Sequence, residues 1–567
     1  MMLKSPVFWP ETIRTTVRLR LHGLHVWPAL ILLTLALATA TPASAEREQA
    51  RAARQKVLAE QRRVIFNDDT YELSRDDANT ATGFLKRRLK PLVGTHVDVI
   101  SWSVLGGWAD APVYDSKVQP IYGDAHGATV PYWPKVTANV KALIANDRCP
   151  LQVVLDFAHG NGMEVFASIR MNDCHDSFIP GGVTLWKKEH PEFLVDRGDV
   201  PQDRGAHPLG LYVIAQDFSN AEVRDRKFEI IEEVCQRYDI DGVDLNFMRH
   251  PVFFSRTMRG EPVTEEEIEI MTGLIRRIRR CTDKRALERG RPILLAAILP
   301  DRLEQSRHLG LDVPKWIDED LIDIIIPGLG YSPFSTPVDD YVALAHPRGV
   351  QVYPCINRKA PQQVPDKFVS EGFRAVATKW YTAGADGIFF WNLGTPFEYQ
   401  LGDELRRTRE VYYAALPELG DPDAVATQDK LYAVDDPPLS YYKHVATPSP
   451  LPLVVKPNDK PQQVPLSVAD DVQQAAKAGR LKDLRLLVWL DQPTGPDTIG
   501  LRMNGQELLR HELGGHGDGT SRFDYLLDPS TVILGDNVLE VSLTDNQSSD
   551  DQVVRLVRAY LLVRYRS

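Results

Sequence analysis

The sequence predicts an α/β protein in which a (β/α)8 TIM barrel is followed by a small all-β sandwich domain. From about residue 60 to 415, eight short apolar segments alternate with helical patterns, as expected of repeated βα units on a parallel sheet. Beyond residue 465, apolar residues recur at every second position, which is typical of strands with one buried face. An open doubly wound sheet is the structural alternative to the barrel.

Eight candidate strands carry the barrel prediction, and they are rich in β-branched and aromatic residues, as buried parallel strands are. They are Val97–Ser103, Glu164–Arg170, Tyr212–Asp217, Gly242–Phe247, Ile293–Leu299, Ile322–Pro327, Val350–Ile356 and Gly387–Asn392. Thr264 and Glu267 have the spacing of a capping box and predict the start of a helix. The sequence has no G-x-G-x-x-G after its first strand and no G-x-x-x-x-G-K-[ST], so a nucleotide-binding fold has no support.

The first 45 residues are predicted to be a signal peptide. A basic leader precedes the apolar run Trp27–Ala40, which is too short for a membrane span of ~20 residues. Ala43-Ser44-Ala45 then supplies the small residues that a signal peptidase requires. We therefore expect an exported protein, periplasmic or extracellular, with no stable membrane span after cleavage. An uncleaved N-terminal anchor is the alternative.

The rest of the chain is expected to form a barrel over residues 60–415, a proline-rich linker over 416–465 and an accessory β-sandwich over 466–567. Ten prolines lie between Pro417 and Pro465, and such a stretch is expected to be a semi-rigid connector. Asn504-Gly505 lies between apolar runs and predicts a hairpin in the tail.

Composition excludes several classes of partner and cofactor. The formal net charge is −11, which argues against nucleic acid as a partner because a phosphate-binding face must be basic. Five cysteines, an odd number, do not suggest a disulfide framework. His175 lies between Asp173 and Asp176, yet no second histidine at ligand spacing accompanies it. We therefore expect no metal and no cofactor.

In a (β/α)8 barrel the catalytic groups lie at the carboxyl ends of the strands. There the sequence places Asp173 after the second predicted strand, Asp244 within the fourth and Asp301 after the fifth. Two carboxyl groups can cleave a glycosidic bond, one of them donating a proton to the leaving oxygen. We take Asp244 as the nucleophile or base, Asp301 as the acid and Asp173 as a substitute for either.

Other polar and aromatic side chains of the same rim are predicted to bind a sugar, since aromatic rings stack on its apolar face and polar groups hold its hydroxyls. The candidates for hydroxyl binding are Asn172, His175, Asn246, Arg249, Asn357, Arg358 and Asn392, and the candidates for stacking are Trp108 and Trp391.

Each carboxylate also has a structural interpretation. Asp241 and Asp386 precede glycines at strand starts, and Asp323 begins a strand, so all three are expected to be structural. Asp244 could instead be the buried ion-pair partner of an arginine, and Asp301 could cap the next helix.

Several short segments match a known family pattern over roughly residues 62–400. They are 63–68 (RVIFND), 114–118 (YDSKV), 166–173 (FASIRMND), 217–220 (DFSN), 223–225 (VRD), 241–243 (DGV), 247–251 (FMRHP), 310–313 (GLDV) and 316–317 (WI). On these segments the chain resembles the glycosyl-hydrolase-like family 10 group of exported bacterial proteins. The resemblance implies a (β/α)8 barrel that cleaves glycosidic bonds of polysaccharides. The tail resembles a galactose-binding-like or other carbohydrate-binding sandwich.

The fourth strand departs from that family's pattern. Its usual acidic position corresponds here to Asn246, and Asp244 lies two residues earlier on the same strand face. An amide cannot act as a carboxylate nucleophile or base. Either Asp244 replaces the missing carboxylate, or the protein binds sugar without cleaving it.

The leading hypothesis is an exported glycoside hydrolase that acts on polysaccharide or oligosaccharide by a two-carboxylate mechanism. The alternative is a non-catalytic carbohydrate-binding protein on a TIM-barrel scaffold. A third interpretation is a scaffold or surface-assembly protein in which the barrel is only a module.

Overall fold

A computed structural model gives the structure of the chain, and it describes most residues beyond the first 41. The described ranges are 42–106, 110–127, 134–178, 182–195, 210–328, 336–356, 368–392, 410–434, 442–457, 459–491, 499–515, 520–543 and 553–566. The predicted signal peptide therefore lies outside this description up to residue 41. The chain forms two compact units, Met1–Gln49 and Ala50–Ser567, and the second contains both the parallel sheet and the β-rich tail.

The described helices surround the parallel sheet and continue, more sparsely, into the tail. The α-helices are Pro42–Leu58 (α1), Ala81–Leu85 (α2), Pro134–Ala145 (α3), Pro150–Gly160 (α4), Leu185–Glu189 (α5), Ala221–Arg237 (α6), Ser255–Met258 (α7), Glu265–Arg289 (α8), Leu303–His308 (α9), Val313–Asp318 (α10), Asp339–Ala345 (α11), Val369–Thr382 (α12), Pro422–Ala426 (α13) and Val472–Lys477 (α14). The capping box of Thr264 and Glu267 at the start of α8 is confirmed. Within the described part of the chain, no helix is both long enough and apolar enough to cross a membrane.

The strands fall into a parallel group and an antiparallel group. The parallel strands are Val64–Asp68 (β1), Val97–Ser103 (β2), Glu164–Arg170 (β3), Gly242–Asn246 (β4), Leu294–Leu299 (β5), Ile324–Pro327 (β6), Gln351–Val352 (β7), Cys355–Ile356 (β8) and Ile388–Phe390 (β9). The strands of the tail are Lys430–Ala433 (β10), Leu453–Val455 (β11), Gln462–Val468 (β12), Leu481–Asp491 (β13), Ile499–Met503 (β14), Gln506–Glu507 (β15), Arg510–Gly515 (β16), Thr520–Leu526 (β17), Gly535–Leu543 (β18) and Val554–Tyr565 (β19).

The parallel sheet is strongly curled. Its strand order is β7-β6-β5-β4-β3-β2-β1-β9-β8, and only Tyr353 and Pro354 separate β7 from β8 in the chain. The Tyr353 N–H donates to the carbonyl of Ile325, while the Phe389 N–H donates to the carbonyl of Pro354. The first and last strands of this order, β7 and β8, therefore lie in one short segment of the chain. The chain is a mixed α/β protein whose parallel sheet has TIM-like curvature.

The predicted third strand, Tyr212–Asp217, is wrong, and the first strand of the sheet was missed. Residues Gly210–Tyr212 form a 3-10 turn, and Gln216 makes only an isolated bridge with Leu194. This apolar run buries its side chains in a separate small cluster outside the sheet core. The run therefore buries its apolar side chains without joining the sheet. The sheet instead contains β1, which pairs with β2 and β9.

An aspartate at the amino end of every second strand accepts a backbone N–H from the strand before it. Counting 351–356 as one strand, these aspartates precede or begin β2, β4, β6 and β9. The bonds are Arg63 N to Asp98 (2.7 Å), Val165 N to Asp241 (2.8 Å), Leu295 N to Asp323 (2.7 Å) and Val352 N to Asp386 (2.7 Å). The structural interpretation of Asp241, Asp323 and Asp386 agrees with these contacts.

The tail contains two antiparallel sheets that share an apolar core. One sheet has the order β10-β19-β13-β17-β16, with β11 also on β19, and the other has the order β12-β18-β14-β15. Alternate residues of both sheets meet in one buried cluster. The predicted hairpin at Asn504-Gly505 is confirmed: both residues have positive φ, and Met503 pairs with Gln506 across the turn.

The stretch 416–465, predicted to be a linker, contains regular secondary structure. It contains α13, β10, β11 and the start of β12. Pro465 pairs with Val538 at the edge of the smaller sheet, where a residue that lacks an N–H is tolerated. A second apolar cluster joins the outer face of the larger sheet to Phe368 beside α12, so the tail is packed against the helical layer of the parallel sheet.

The buried ion cluster around Asp323 gives a stability prediction. Asp323 accepts bonds from Arg54 (2.9 Å) and Arg279 (2.6 Å) besides its backbone bond, and all three side chains are buried. The Asp323→Ala variant should lose about 3–5 kcal/mol of unfolding free energy, because two guanidinium groups stay buried without this partner. Urea unfolding would measure the loss. Asp318→Ala, at an exposed position, is the control and should change stability by less than about 0.5 kcal/mol; equal losses in both variants would contradict the prediction.

Candidate active site

Polar residues follow the carboxyl ends of β1, β3, β4 and β9, at the mouth of the curled sheet. We call seven of them the mouth cluster: Asp69, Arg170, Asp173, His175, Arg249, His250 and Asn392. Each is buried, and His175, at 8% exposure, is the most exposed of the seven. Burying so many ionisable groups is costly unless they are paired, and such clusters concentrate at functional sites.

Arg170 lies at the centre of the mouth cluster and contacts two carboxylates. Its Nη2 is 2.8 Å from Asp69 and its Nη1 donates to Asp173 at 2.6 Å. Burial alone would raise the pKa of both aspartates, but the hydrogen bonds and positive charges of their neighbours outweigh it. Arg170 and Arg249 hold the pKa of Asp69 below its ordinary value, and His175 and Arg170 do the same for the pKa of Asp173. Both carboxylates are therefore ionised at neutral pH.

The imidazole of His175 is held from both sides, which fixes its tautomer. Its Nδ1 is 2.9 Å from Asp173, an acceptor, so Nδ1 carries the proton. Its Nε2 is 2.6 Å from the guanidinium of Arg249, a donor, so Nε2 accepts. Burial, reinforced by the charge of Arg249, lowers the pKa of His175 to about 4. His175 is thus a neutral base whose orientation is set by a carboxylate.

His250 lies against His175 and has a backbone conformation that is rare outside glycine. Its φ is 58°, in the left-handed region. Its Nδ1 accepts the backbone N–H of Cys174 at 2.9 Å, and its ring meets the ring of His175 edge-on at 4.6 Å. Burial and the neighbouring His175 lower the pKa of His250, so this imidazole is also neutral.

Asp173, His175 and His250 lie close enough together to hold a metal ion, but their surroundings do not suit a cation. The guanidinium groups of Arg170 and Arg249 already contact Asp173 and His175. A divalent cation among these charges would be repelled. The nitrogen of His250 that faces Asp173 also already accepts an N–H. Asp173 and His175 are hydrogen-bonded to each other, and His250 packs edge-on against the His175 ring.

Asp244, predicted to be catalytic, lies one layer below the mouth cluster inside the sheet. Its two carboxylate oxygens accept hydroxyl bonds from Ser101 and Ser168, each at 2.6 Å, and the side chain is fully buried. Burial raises the pKa of Asp244 to about 6, with the charge of Asp69 adding to the effect. The arginine pairing considered for Asp244 is replaced by these two serines.

Asp301, the predicted acid, contacts the tail. Its Oδ2 accepts the backbone N–H of Thr447 at 3.0 Å, and Arg302 donates to the Thr447 hydroxyl at 2.8 Å. Burial raises the pKa of Asp301, although the bonds from Thr447 oppose the shift. Asp301 is thus placed at the junction between β5 and the segment near residue 447.

Two asparagines predicted to bind sugar hydroxyls make their bonds to the backbone. Asn172 donates to the carbonyls of Gln216 (2.9 Å) and Val252 (2.6 Å). Asn246 accepts the backbone N–H of Arg249 at 2.9 Å. These side chains hold the loops that carry the mouth cluster in place.

Of the remaining predicted residues, two lie at the mouth and three are outside the part of the chain that the structure describes. Asn392 donates to Asp69 at 2.9 Å, and the guanidinium of Arg249 lies 5.9 Å from the Trp391 ring, both at the mouth. Trp108, Asn357 and Arg358 lie outside the described residues.

Sequence reasoning missed Asp69 and gave no role to Arg170 or His250. Asp69 was missed because β1 was not recognised as a strand, although Asn67-Asp68-Asp69 directly follows the apolar run 64–66. Polar residues after such a run are the signal that identified Asp173, so the same rule would have found Asp69. Cys174 is buried and burial raises the pKa of its thiol, which disfavours a nucleophilic role.

No protein-family model matches the chain, and no curated protein matches its sequence. Several solved structures are similar to it, among them three glycoside hydrolases. The glycoside hydrolase domain of PgaB (BpsB) from Bordetella bronchiseptica has 10% identity and a TM-score of 0.39, covering 62% of this chain and 99% of that one. The α-amylase of Geobacillus thermoleovorans has 11% identity and a TM-score of 0.35, covering 88% and 99%. A glycoside hydrolase family 18 N-acetylglucosaminidase from Paenibacillus barengoltzii has 11% identity and a TM-score of 0.32, covering 62% and 99%.

The raised pKa of Asp244 gives a prediction about stability and pH. The folded state holds this proton up to about pH 6, whereas an ordinary aspartate releases it near pH 3.9. The contribution of Asp244 to stability therefore falls as pH rises from about 4 to about 6. The neutral Asp244→Asn variant should be more stable than the wild type at pH 7, by up to ~3 kcal/mol, and the two should converge below pH ~4. Urea unfolding across this range tests the prediction, and a difference independent of pH would refute it.

Proposed function

We propose that the chain is an exported glycoside hydrolase whose active site is the mouth cluster. The observation that carries the proposal is the unbroken run of contacts Asp69–Arg170–Asp173–His175–Arg249 at the carboxyl ends of the strands. It combines ionised carboxylates with a neutral, oriented imidazole. The resemblance to glycosyl-hydrolase-like family 10 supports the same reaction class.

The proposal treats the curled sheet as a closed (β/α)8 barrel and the tail as an accessory β-sandwich. The position of β7 and β8 in one short segment supports closure, because that segment bonds to strands on both sides. The shared core of the two tail sheets supports a sandwich. The basic leader, the apolar run and Ala43-Ser44-Ala45 support export.

The geometry suggests specific roles. Hydrolysis breaks the bond between the anomeric carbon and the bridging oxygen, and its transition state carries positive charge on the sugar. Asp69, held ionised, would stabilise that charge or attack the anomeric carbon. His175, oriented by Asp173, would take the proton of the attacking water at Nε2 once Arg249, which donates to Nε2 in this structure, turns to the substrate. The same nitrogen would return that proton to the leaving oxygen, so that the protons balance. Asp244 and Asp301, engaged by serines and by Thr447, are less suited to these steps.

A non-catalytic carbohydrate-binding protein is the second candidate, and a specific observation favours it. Both oxygens of Asp244 are engaged by hydroxyls, and the family's acidic position is Asn246. Such a protein would bind glycans through the mouth and the tail without releasing reducing ends.

The first test is a screen for reducing ends and oligosaccharide products with purified protein on diverse bacterial and algal glycans. Asp69→Asn, Asp173→Asn and His175→Asn should each lower kcat/KM by at least about 10²-fold, because each removes charge stabilisation or proton transfer. Asp241→Asn is the matched control: it removes a buried carboxylate at the opposite end of β4 and should keep turnover per folded molecule close to wild type. Binding without any product would select the second candidate.

A second test uses the pH dependence of kcat/KM. The reaction needs neutral His175, whose pKa is about 4, so the rate should fall as pH drops through about 4. Arg249 contributes to this low pKa, and Arg249→Met should therefore move the acid limb to higher pH. An acid limb at the same pH in both proteins would remove His175 from the proposed proton path.

A further inference from the structure

A segment of the tail lies over the mouth of the parallel sheet. Residues 442–447, here named the mouth strap, follow β10 in the chain. Tyr442 and Val445 are fully buried in the same apolar cluster as the parallel strands. The tail therefore contributes side chains to the core of the sheet, besides packing against its helical layer.

His444 of the mouth strap contacts the loop that follows β4. Its Nε2 donates to the carbonyl of Pro251 at 3.1 Å, an acceptor only, so Nε2 carries the proton. Pro251 directly follows His250, whose positive φ is unfavourable for a residue with a side chain. The bond from His444 thus holds the peptide next to a strained position.

A row of aromatic rings connects His444 to the mouth cluster. The ring of His444 meets Tyr212 edge-on at 5.8 Å, Tyr212 meets His250 at 5.7 Å, and His250 meets His175 at 4.6 Å. Each contact is of the edge-to-face type that aromatic rings prefer. Movement of His444 would therefore be transmitted to both imidazoles of the site.

The other end of the mouth strap is fastened to β5. Asp301 accepts the Thr447 N–H, and Arg302 donates to the Thr447 hydroxyl. This contact engages Oδ2 of Asp301 and ties its carboxylate to the strap. Asp301 is better explained as the anchor of the strap than as the catalytic acid.

We propose that His444 is a positioning residue of the active site, which from the mouth strap fixes the backbone after His250 and the ring of Tyr212, and that Asp301 anchors this strap. The proposal rests on the proposed function of the mouth cluster. It makes the active site a joint product of the parallel sheet and the tail.

Two substitutions in the full-length chain separate the contacts of His444. His444→Phe keeps a ring against Tyr212 but removes the N–H, and His444→Gln keeps an N–H that can reach Pro251. We expect His444→Phe to lower kcat by roughly tenfold or more with little change in KM, since small misplacements of catalytic groups are costly. His444→Gln should recover most of the loss. Lys443→Ala, an exposed neighbour in the strap, is the control and should match the wild type.

A measurement that needs no substrate accompanies the kinetics. The imidazole ¹⁵N signals of His175 and His250 should shift in His444→Phe and stay in place in Lys443→Ala. Unchanged signals in His444→Phe would overturn the inference, even if the variant were less stable. A wild-type protein that cleaves no glycan would overturn the proposed function instead, so the two failures are distinguishable.

The role of Asp301 is tested by Asp301→Asn and Asp301→Leu. If Asp301 is an anchor, the amide introduced by D301N still offers an oxygen to the Thr447 N–H, so this variant should lose less than about tenfold in kcat. D301L removes the acceptor and should shift the imidazole signals as His444→Phe does. A loss of about 10²-fold or more in D301N, with unshifted imidazole signals, would identify Asp301 as a proton donor and overturn the anchor assignment.

Discussion

The parallel sheet depends on carboxylates that accept backbone N–H groups at the start of alternate strands. Each of Asp98, Asp241, Asp323 and Asp386 joins its own strand to the preceding one. A basic side chain also contacts each carboxylate: Arg63, Arg291, Arg54 with Arg279, and His346, in that order. The aspartates thereby link the strands in successive pairs at the amino end of the sheet. The carboxyl end carries the mouth cluster.

At that opposite end, the sheet carries charges that its own stability does not require. Asp69, Arg170 and Asp173 form buried ion pairs, and replacing such groups together by well-packed apolar side chains of similar size is often neutral or stabilising. The dense pairing instead keeps two carboxylates ionised and two imidazoles neutral within a few ångströms. Divergent protonation states in one small volume are what acid–base chemistry needs.

Much of the parallel sheet could be predicted because its strands are continuous apolar runs. The strands Val97–Ser103 and Glu164–Arg170 were predicted with their observed bounds. The run at Tyr212–Asp217 has the same composition but packs in a separate cluster, and composition cannot distinguish these outcomes. β1 is only five residues long and is preceded by arginines, so its signal was weaker than that of its neighbours.

Site residues could be predicted only where the sequence directly after a single strand was enough to identify them. Asp173, His175 and Arg249 were identified because polar residues follow predicted strands, and the structure brings them into contact. Which carboxylate would be engaged by neighbours could not be inferred, because Ser101 and Ser168 lie on other strands. Asp301 and Thr447 are 146 residues apart in the sequence, and no local sequence pattern predicts their contact.

The mouth strap contacts residues that are far away in the sequence, and this separation constrains how the chain folds. His444 and Pro251 are 193 residues apart, and closing so large a loop is slow because the ordering cost precedes the contact. The strands of the parallel sheet are synthesised before the mouth strap. The contacts of the strap with the mouth can therefore form only after the tail has been synthesised. Assembly of the mouth cluster with its strap is therefore expected to be a late folding event, because the strap is synthesised after every strand of the parallel sheet.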